Sequence, residues 1–306
     1  MSDVTTSEIA GASEVRDWIT LLKPRVLTLV VYTGIIGLLV APGTLHPVLA
    51  LTAILCITIA AGAAGAMNMW YDRDIDAIMR RTIKRPIPTG RISADAALTY
   101  GIVLAVGSVA LMGLATNWLA AGVLAFSIFF YVVIYTMLLK RRTPQNIVIG
   151  GAAGAFPPLI GWIAVTGSVE ALPLVLFAII FMWTPPHFWA LSLWAHQDYE
   201  RAGVPMLPVT HGARETRKQV VIYTVLLVPL TLAPWLMGFN TLAYGAVAAL
   251  LGANFLRHAW LTWRDEQDEA GVSLTKDMPA KRCFKYSISY LFLLFGALAL
   301  DRMLLA

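Results

Sequence analysis

The fold class is decided by residues Pro47 to Asp76, which read PVLALTAILCITIAAGAAGAMNMWYDRDID. The 24 residues from Pro47 to Trp70 contain no charged side chain, and about 20 apolar residues are enough for an α-helix to cross a bilayer. Three aspartates follow within the last five residues of the stretch. The stretch therefore predicts a transmembrane helix that ends in an acidic cluster at one surface of the membrane.

The composition of the whole chain agrees with this interpretation. Of its 306 residues, 58% are hydrophobic and only 13% are charged, and the mean hydropathy is +0.70. A soluble domain has about 25% charged residues, so the sequence predicts a polytopic membrane protein. The two cysteines, Cys56 and Cys283, lie far apart and predict neither a disulfide framework nor a zinc site. The first 18 residues lack the apolar segment of a cleavable secretory signal.

We predict an all-α polytopic membrane protein with nine transmembrane helices around a central cavity. Residues 1–306 form a single transmembrane domain in this interpretation, with a polar N-terminal tail over residues 1–20. The predicted spans are 26–42, 47–69, 95–115, 118–139, 146–166, 171–193, 219–238, 241–263 and 285–304.

Basic residues mark one side of the predicted membrane. Connections rich in Lys and Arg alternate with connections that contain neither, and only Arg302 of the 23 basic residues falls on the other side. By the positive-inside rule, the N-terminus is predicted to be cytoplasmic and the C-terminus to be outside. The two longest internal basic connections, 70–94 and 194–218, are predicted to be cytoplasmic active-site loops.

The acidic cluster has the spacing of one helix face. Asn68, Asp72 and Asp76 are four residues apart, so they stack one turn above another on a helix. Carboxylates gathered at the end of an apolar span repel one another unless a cation neutralises them, and Mg²⁺ prefers such oxygen ligands. Asp74 falls on another face and is predicted to be a solvated partner of a nearby arginine. A second acidic group, around Asp198, follows the sixth span.

A diphosphate is typically bound by a combination of carboxylates, a divalent metal ion and cationic side chains. The metal bridges phosphate oxygens and Arg donates paired hydrogen bonds to them. At a membrane surface, the diphosphate is expected to belong to a lipid such as a polyprenyl diphosphate. Its ionisation would leave an allylic cation that aromatic faces stabilise and water destroys.

The pattern Asn68-x-x-x-Asp72-x-x-x-Asp76 at the end of an apolar helix resembles the first aspartate-rich motif of the UbiA-type intramembrane prenyltransferases. The resemblance covers nearly the whole chain. Within that superfamily, four segments are most similar to the haem O synthases, or protohaem IX farnesyltransferases. These segments are Leu22-Lys23-Pro24-Arg25-Val26, Lys84-Arg85-Pro86-Ile87-Pro88-Thr89-Gly90-Arg91, Pro185-Pro186-His187-Phe188-Trp189-Ala190-Leu191 and the stretch from Asp198 to Val209.

This resemblance implies an activity that spacing alone does not. A farnesyl group would pass from farnesyl diphosphate to a vinyl group of haem b, with addition of water, giving haem O and diphosphate. Mg²⁺ is the implied cofactor, and haem b is a substrate rather than a prosthetic group. The implied location is the bacterial cytoplasmic (inner) membrane, with the active site facing the cytoplasm. Implied partners are membrane lipid and haem A synthase or a terminal oxidase assembly, and no nucleic acid.

The resemblance also implies roles for individual residues. Catalytic and metal-binding roles fall on Asn68, Asp72, Asp76 and Asp198. Phosphate-binding roles fall on Arg25, Lys84, Arg85, Arg91, Lys140 and Arg141. His187 is implied to contact the haem. The second motif reads Gln197-Asp198-Tyr199-Glu200 where the superfamily often has two aspartates about four residues apart, which leaves the number of metal ions open.

Three alternatives remain open at this point. The acids could be a solvated helix end paired with Arg73 and Arg80. The enzyme could prenylate another aromatic or tetrapyrrole acceptor. The chain could also be a transporter of divalent cations or organic anions, although transporters usually place ionisable residues near the bilayer midplane.

Overall fold

The computed structural model describes residues 13–269 and 271–304, with the side chain of Arg25 excepted. Within these residues the chain is helical, and strand-type pairing is confined to one isolated bridge between Gln267 and Ser273. The helices are α1 (Val15–Leu21), α2 (Pro24–Leu39), α3 (Pro47–Tyr71), α4 (Arg73–Asp76), α5 (Ala94–Ala115), α6 (Trp118–Phe129) with a π-helical continuation (Phe130–Leu139), α7 (Asn146–Gly150), α8 (Ala152–Thr166), α9 (Ala171–Arg201), α10 (Leu207–Thr210), α11 (Gly212–Thr231), α12 (Ala233–Leu236), α13 (Leu242–Trp263) and α14 (Met278–Leu304).

The described residues contain seven helical stretches long and apolar enough to cross a membrane, or eight if the bent pair α1 and α2 counts as one span. This confirms an all-helical, multi-pass membrane protein. The predicted count of nine spans, the central cavity and the orientation of the termini stay predictions. The seven stretches are Pro47–Tyr71, Ala94–Ala115, Trp118–Leu139, Asn146–Thr166, Ala171–Arg201, Gly212–Leu236 and Met278–Leu304.

Helices α2 and α8 pack backbone against backbone. A Cβ atom on Gly37 would lie 2.1 Å from the carbonyl oxygen of Pro158, and one on Gly161 would lie 2.3 Å from the carbonyl oxygen of Gly34. No side chain fits at either distance. Small residues permit such close approach between membrane helices, where packing and not water exclusion drives association.

The end of the bundle where α3 begins is held by the last turns of α14. Arg302 donates from Nε to the carbonyl oxygen of Val40, at 2.7 Å, and Val40 lies in the connection that leads to α3. The neighbouring carboxylate of Asp301 is 5% exposed. It accepts hydrogen bonds from Asn240 Nδ2 at 2.9 Å and from the backbone and hydroxyl of Thr241. This carboxylate therefore caps the start of α13.

The predicted connection 194–218 is largely helical. Helix α9 continues to Arg201, α10 follows, and α11 begins at Gly212. The polar residues that follow the apolar run are also compatible with a helix. The end of the apolar run therefore predicts where the chain leaves the membrane, but it does not predict where the helix ends. Near the start of α11, buried Arg217 binds Asp277 at 2.9 Å and the carbonyl oxygen of Gly271 at 2.9 Å.

Candidate active site

The predicted acidic cluster forms at the end of α3 and is buried. Asn68, Asp72 and Asp76 are all inaccessible or nearly so. Helix α3 ends at Tyr71, yet the backbone N–H of Asp72 still bonds to the Asn68 carbonyl at 2.9 Å and that of Asp76 to the Asp72 carbonyl at 2.8 Å. The spacing of four therefore places the three side chains on one face, as predicted, and the alternative of a solvated helix end is wrong for Asp72 and Asp76.

Cationic side chains from two other segments reach these carboxylates. Lys140 Nζ donates to Asp72 Oδ2, which also accepts from Asn68 Nδ2 at 2.8 Å. Arg85 Nη1 lies 2.6 Å from Asp76 Oδ2. Asp72 Oδ1 is different, because it is buried and has no hydrogen bond among the described residues. Arg141 Nη2 lies 3.5 Å from this oxygen. One carboxylate oxygen of the cluster is thus left with unused acceptor capacity.

The π-helical segment Phe130–Leu139 positions the groups on the far side of the cluster. The backbone N–H of Lys140 bonds to the carbonyl of Tyr135, five residues earlier, at 2.9 Å. Thr136 donates its hydroxyl to the Tyr131 carbonyl at 2.8 Å and accepts from Asn68 Nδ2 at 3.1 Å. π-Helical geometry is rare and is frequent at functional sites, and here it extends over ten residues. Here the wider turn delivers both Lys140 and Thr136 to the acidic cluster.

Lys23 belongs to this site although sequence reasoning gave it no role. Its Nζ donates to Asn68 Oδ1 at 2.5 Å and lies 3.4 Å from the hydroxyl of Tyr131. Its backbone φ is +54°, an uncommon conformation for a residue with a side chain. The available signal was its place in the segment Leu22 to Val26, immediately before the proline that starts α2.

Arg141 joins Asp74 to the rim of the site. Its guanidinium forms two hydrogen bonds to the Asp74 carboxylate, at 2.7 and 2.6 Å, and it also donates to the carbonyl of Tyr71 at 3.2 Å. The guanidinium holds the pKa of Asp74 below its usual value. The prediction that Asp74 is the solvated partner of an arginine is confirmed, since its side chain is 59% exposed.

Two of the predicted phosphate-binding residues lie toward α1 instead. Arg91 Nε bonds to Asp17 Oδ1 at 2.8 Å, and Lys84 lines a surface groove together with Arg91 and Asp17. The side chain of Arg25 lies outside the part of the structure that is described. The structure therefore brings Arg85, Lys140 and Arg141 to the acids, and it does not place Lys84 and Arg91 in contact with them.

The second acidic segment packs beside the first without completing a metal site. Tyr199 and Met206 pack in one apolar cluster with Ile75 and Met79, which follow the first acids. The half-buried carboxylate of Asp198 has no hydrogen bond or ion pair to any described residue. In the described ranges, no three side chains of His, Cys, Asp or Glu converge closely enough to form a ready-made metal site.

His187 lies in the middle of α9 between two aromatic rings. Its imidazole stacks on Trp183 with ring centres 4.2 Å apart and on Phe284 at 4.5 Å. Its Nδ1 lies 2.7 Å from the hydroxyl oxygen of Ser287 on α14. The ring is 9% exposed, so α9 and α14 hold it in one orientation.

Two solved structures of other proteins share this architecture. A structure of digeranylgeranylglyceryl phosphate synthase matches with a TM-score of 0.76 and 18% identity, over 94% of this chain and 98% of that chain. A UbiA homologue from Archaeoglobus fulgidus, bound to DMAPP and Mg²⁺, matches with a TM-score of 0.67 and 17% identity, over 92% of this chain and 99% of that chain. At 18% and 17% sequence identity, these similarities establish a shared fold and nothing further.

The sequence comparisons show the family. Residues 30–288 match the UbiA prenyltransferase family. A Protoheme IX farnesyltransferase from Granulibacter bethesdensis is 64% identical over 297 residues, which cover 97% of this chain and 94% of that relative. The predicted resemblance is confirmed, and the chain belongs to the UbiA prenyltransferase family.

Proposed function

We propose that this protein transfers a farnesyl group from farnesyl diphosphate to a vinyl group of haem b, with addition of water, and releases haem O and diphosphate. The observation that carries the proposal is 64% identity to a Protoheme IX farnesyltransferase over nearly the whole of both chains. The buried acids and cations at the end of α3 supply a site of the right chemistry. Transfer of a prenyl group also explains why an acidic site adjoins apolar helices.

Mg²⁺ fits the donor set at this site. Asp72 Oδ1 is a buried oxygen without a hydrogen bond, and such oxygens are the ligands that a hard divalent cation prefers. Asp72 and Asp76 would hold the ion together with Asn68 Oδ1, and Asp198 would contribute from α9. When bound, Mg²⁺ neutralises the charge that develops on the departing diphosphate. The A. fulgidus homologue, solved with Mg²⁺ and a prenyl diphosphate, supports the same assignment.

The cations around the acids would hold the phosphate oxygens. Lys140, Arg85 and Arg141 already lie within ion-pair distance of Asp72 or Asp76, so an anion bridged to those acids by a metal comes within their reach. Arg provides paired donors for phosphate and Lys a compact charge. Arg25, Lys84 and Arg91 are proposed for the outer part of the same anion site.

The acceptor would lie against the aromatic groups of α9. An allylic cation formed when the C–O bond of farnesyl diphosphate breaks must be kept from water until the vinyl group attacks it. Trp183 and His187 are buried and Phe188 is half-buried, and the ring of His187 contacts both of the others. We place haem b beside them, with His187 in contact. The site faces the cytoplasm of a bacterial inner membrane in this proposal, and haem O passes to a haem A synthase or a terminal oxidase assembly.

A single assay tests the function. The purified protein in detergent is supplied with haem b, farnesyl diphosphate and Mg²⁺, and the extracted pigment is analysed by mass spectrometry. The expected product is haem b that carries one added farnesyl group and one added hydroxyl group. An unchanged pigment from protein that is folded and binds both substrates would contradict the proposal. A farnesylated product from 4-hydroxybenzoate, and none from haem b, would instead support the alternative acceptor class.

A further inference from the structure

We propose that a pocket between the end of α13 and the start of α14 binds the headgroup of a membrane phospholipid that carries both a phosphodiester and a primary ammonium, as phosphatidylethanolamine does. This headgroup pocket is separate from the acidic cluster of α3 and takes no part in the proposed prenyl transfer. The lining residues that the argument uses are His258, Leu261, Arg264, Asp265, Glu266 and Arg282.

The headgroup pocket is small. Its volume is about 230 Å³, whereas pockets for drug-sized ligands measure about 300–1,000 Å³. It therefore suits a group of few atoms, such as a lipid headgroup, rather than haem b or a farnesyl chain.

The charged side chains that line the pocket do not neutralise one another. Among the described residues, Arg264 and Arg282 form no ion pair, and neither has a nitrogen within 4.0 Å of the Glu266 carboxylate. Asp265 is different, because its carboxylate accepts from a threonine hydroxyl of the same loop at 2.6 Å and lies 3.5 Å from Arg217 Nη2. Two cationic side chains and one anionic side chain are thus left around one small cavity.

The loop that presents these charges is fixed to the bundle. Arg217, which is 1% exposed, donates to the carbonyl oxygen of Gly271 at 2.9 Å and to Asp277 Oδ1 at 2.9 Å. Within the loop, the carbonyl oxygen of Glu266 accepts from the backbone N–H of Leu274 at 2.9 Å. The pocket therefore exists before a ligand binds, and little ordering of the loop opposes binding.

The pocket opens beside the surface that faces lipid. Leu261, which lines it, is 42% exposed, and the neighbouring Trp260 is 53% exposed. Tryptophan is enriched at the level of the lipid headgroups, so this turn of α13 is expected at the boundary between headgroups and acyl chains. A phospholipid could then place its headgroup in the pocket while its acyl chains follow the outer face of α13.

The three unpaired charges match the headgroup in sign and number. Arginine donates paired hydrogen bonds to phosphate oxygens, and basic pockets between membrane helices bind phospholipid headgroups. The Glu266 carboxylate adds the discrimination. It can accept an N–H from a primary ammonium, it finds no such donor on a choline group, and it repels an anionic headgroup that carries no cation.

The test is native mass spectrometry of the intact protein in detergent, with added phosphatidylethanolamine, phosphatidylcholine or phosphatidylglycerol of identical acyl chains. We expect wild type to retain one phosphatidylethanolamine and to bind it about fivefold more tightly than either of the other lipids. No haem or farnesyl diphosphate is needed, so formation of haem O, measured on the same preparations, reports on the proposed function separately.

Substitutions assign the two parts of the headgroup. Arg264→Gln combined with Arg282→Gln should weaken binding of phosphatidylethanolamine by at least about tenfold, and Glu266→Gln should remove its advantage over phosphatidylglycerol. Arg257→Gln is the matched control, because Arg257 is an exposed cation of α13 that does not line the pocket, and it should bind as wild type does. The three substituted side chains are exposed, so each variant should keep the thermal midpoint of wild type.

Four results would overturn the inference. Wild type that binds the three lipids equally, or a double arginine variant that keeps its affinity, would refute the pocket as a headgroup site. A retained preference for phosphatidylethanolamine in Glu266→Gln would refute the assignment of the ammonium. Displacement of the bound lipid by inorganic phosphate alone would show a site for free phosphate instead of a lipid site.

Discussion

Asp72 and Asp301 are both buried carboxylates, but they lie at opposite ends of the bundle and are neutralised in different ways. Asp301 is surrounded by neutral donors at the start of α13: Asn240, the hydroxyl and backbone of Thr241, and the backbone of Tyr244. Both of its oxygens are used. Asp72 meets two cations, Lys140 and Arg141, and the amide of Asn68 four residues earlier. Its Oδ1 has no hydrogen bond among the described residues.

The difference indicates what each carboxylate is for. A fully satisfied buried carboxylate stabilises the fold, because every hydrogen bond it accepts also ties two segments together. An under-satisfied one costs stability and is retained where binding or catalysis needs it. Substitutions at the two aspartates should therefore affect different measurements: the reaction rate at Asp72 and the thermal midpoint at Asp301.

The largest effect is expected at the acids of α3. Asp72→Asn or Asp76→Asn should lower the rate of haem O formation by about 10²- to 10³-fold, because the charge that holds the metal and diphosphate is lost while the side-chain volume remains. The thermal midpoint should stay close to that of wild type. Asp95→Asn, at the exposed start of α5, is the matched control and should retain full activity. Retained activity in both variants would remove the metal-site assignment.

Chelation tests the same end of the molecule without a substitution. EDTA should stop product formation, and added Mg²⁺ should restore it. The reason is that the oxygen donors around Asp72 need a divalent ion in order to bind the diphosphate. Ca²⁺, which is larger and less strict in geometry, is the control cation and should restore less. Full activity after exhaustive chelation would show that Lys140 and its neighbours hold the substrate alone.

The opposite result is expected at Asp301. Asp301→Asn replaces an oxygen acceptor by a donor that faces the amide of Asn240 and the N–H of Thr241. It should lower the free energy of unfolding by about 1–3 kcal/mol, measured as a lower thermal midpoint in detergent. Activity per folded molecule should change little. A loss of activity with an unchanged midpoint would break the comparison, since it would give Asp301 a functional role.

The smallest effect is expected at Asp74. Because Arg141 lowers the pKa of this carboxyl, the pair stabilises the protein above the ordinary carboxyl pKa. That stability is lost as the pH falls through the lowered value. Asp74→Asn should remove this acid-dependent loss and change activity at neutral pH by at most about fivefold, since Arg141 keeps its bond to the Tyr71 carbonyl. A loss as large as that of Asp72→Asn would extend the metal site to Asp74.

The sequence predicted those parts of the site that depend on short-range geometry. Asn68, Asp72 and Asp76 come together because helix periodicity acts over four residues, and Arg85 follows Asp76 by nine residues. The contacts of Lys23 and Thr136 with Asn68 span 45 and 68 residues. They depend on how α2 and the π-helical segment pack against α3, which no local pattern encodes.

The contact between α2 and α8 restricts how a long lipid tail can reach the acids. With the main chains meeting at Gly37 and Gly161, these two helices behave as one rigid wall. Sideways entry of an isoprenoid from the bilayer cannot occur through that wall, because separating the helices would sacrifice their closest packing. Any lateral route for the tail must therefore run between other helices, and a bulkier residue at Gly37 would push α2 away from α8.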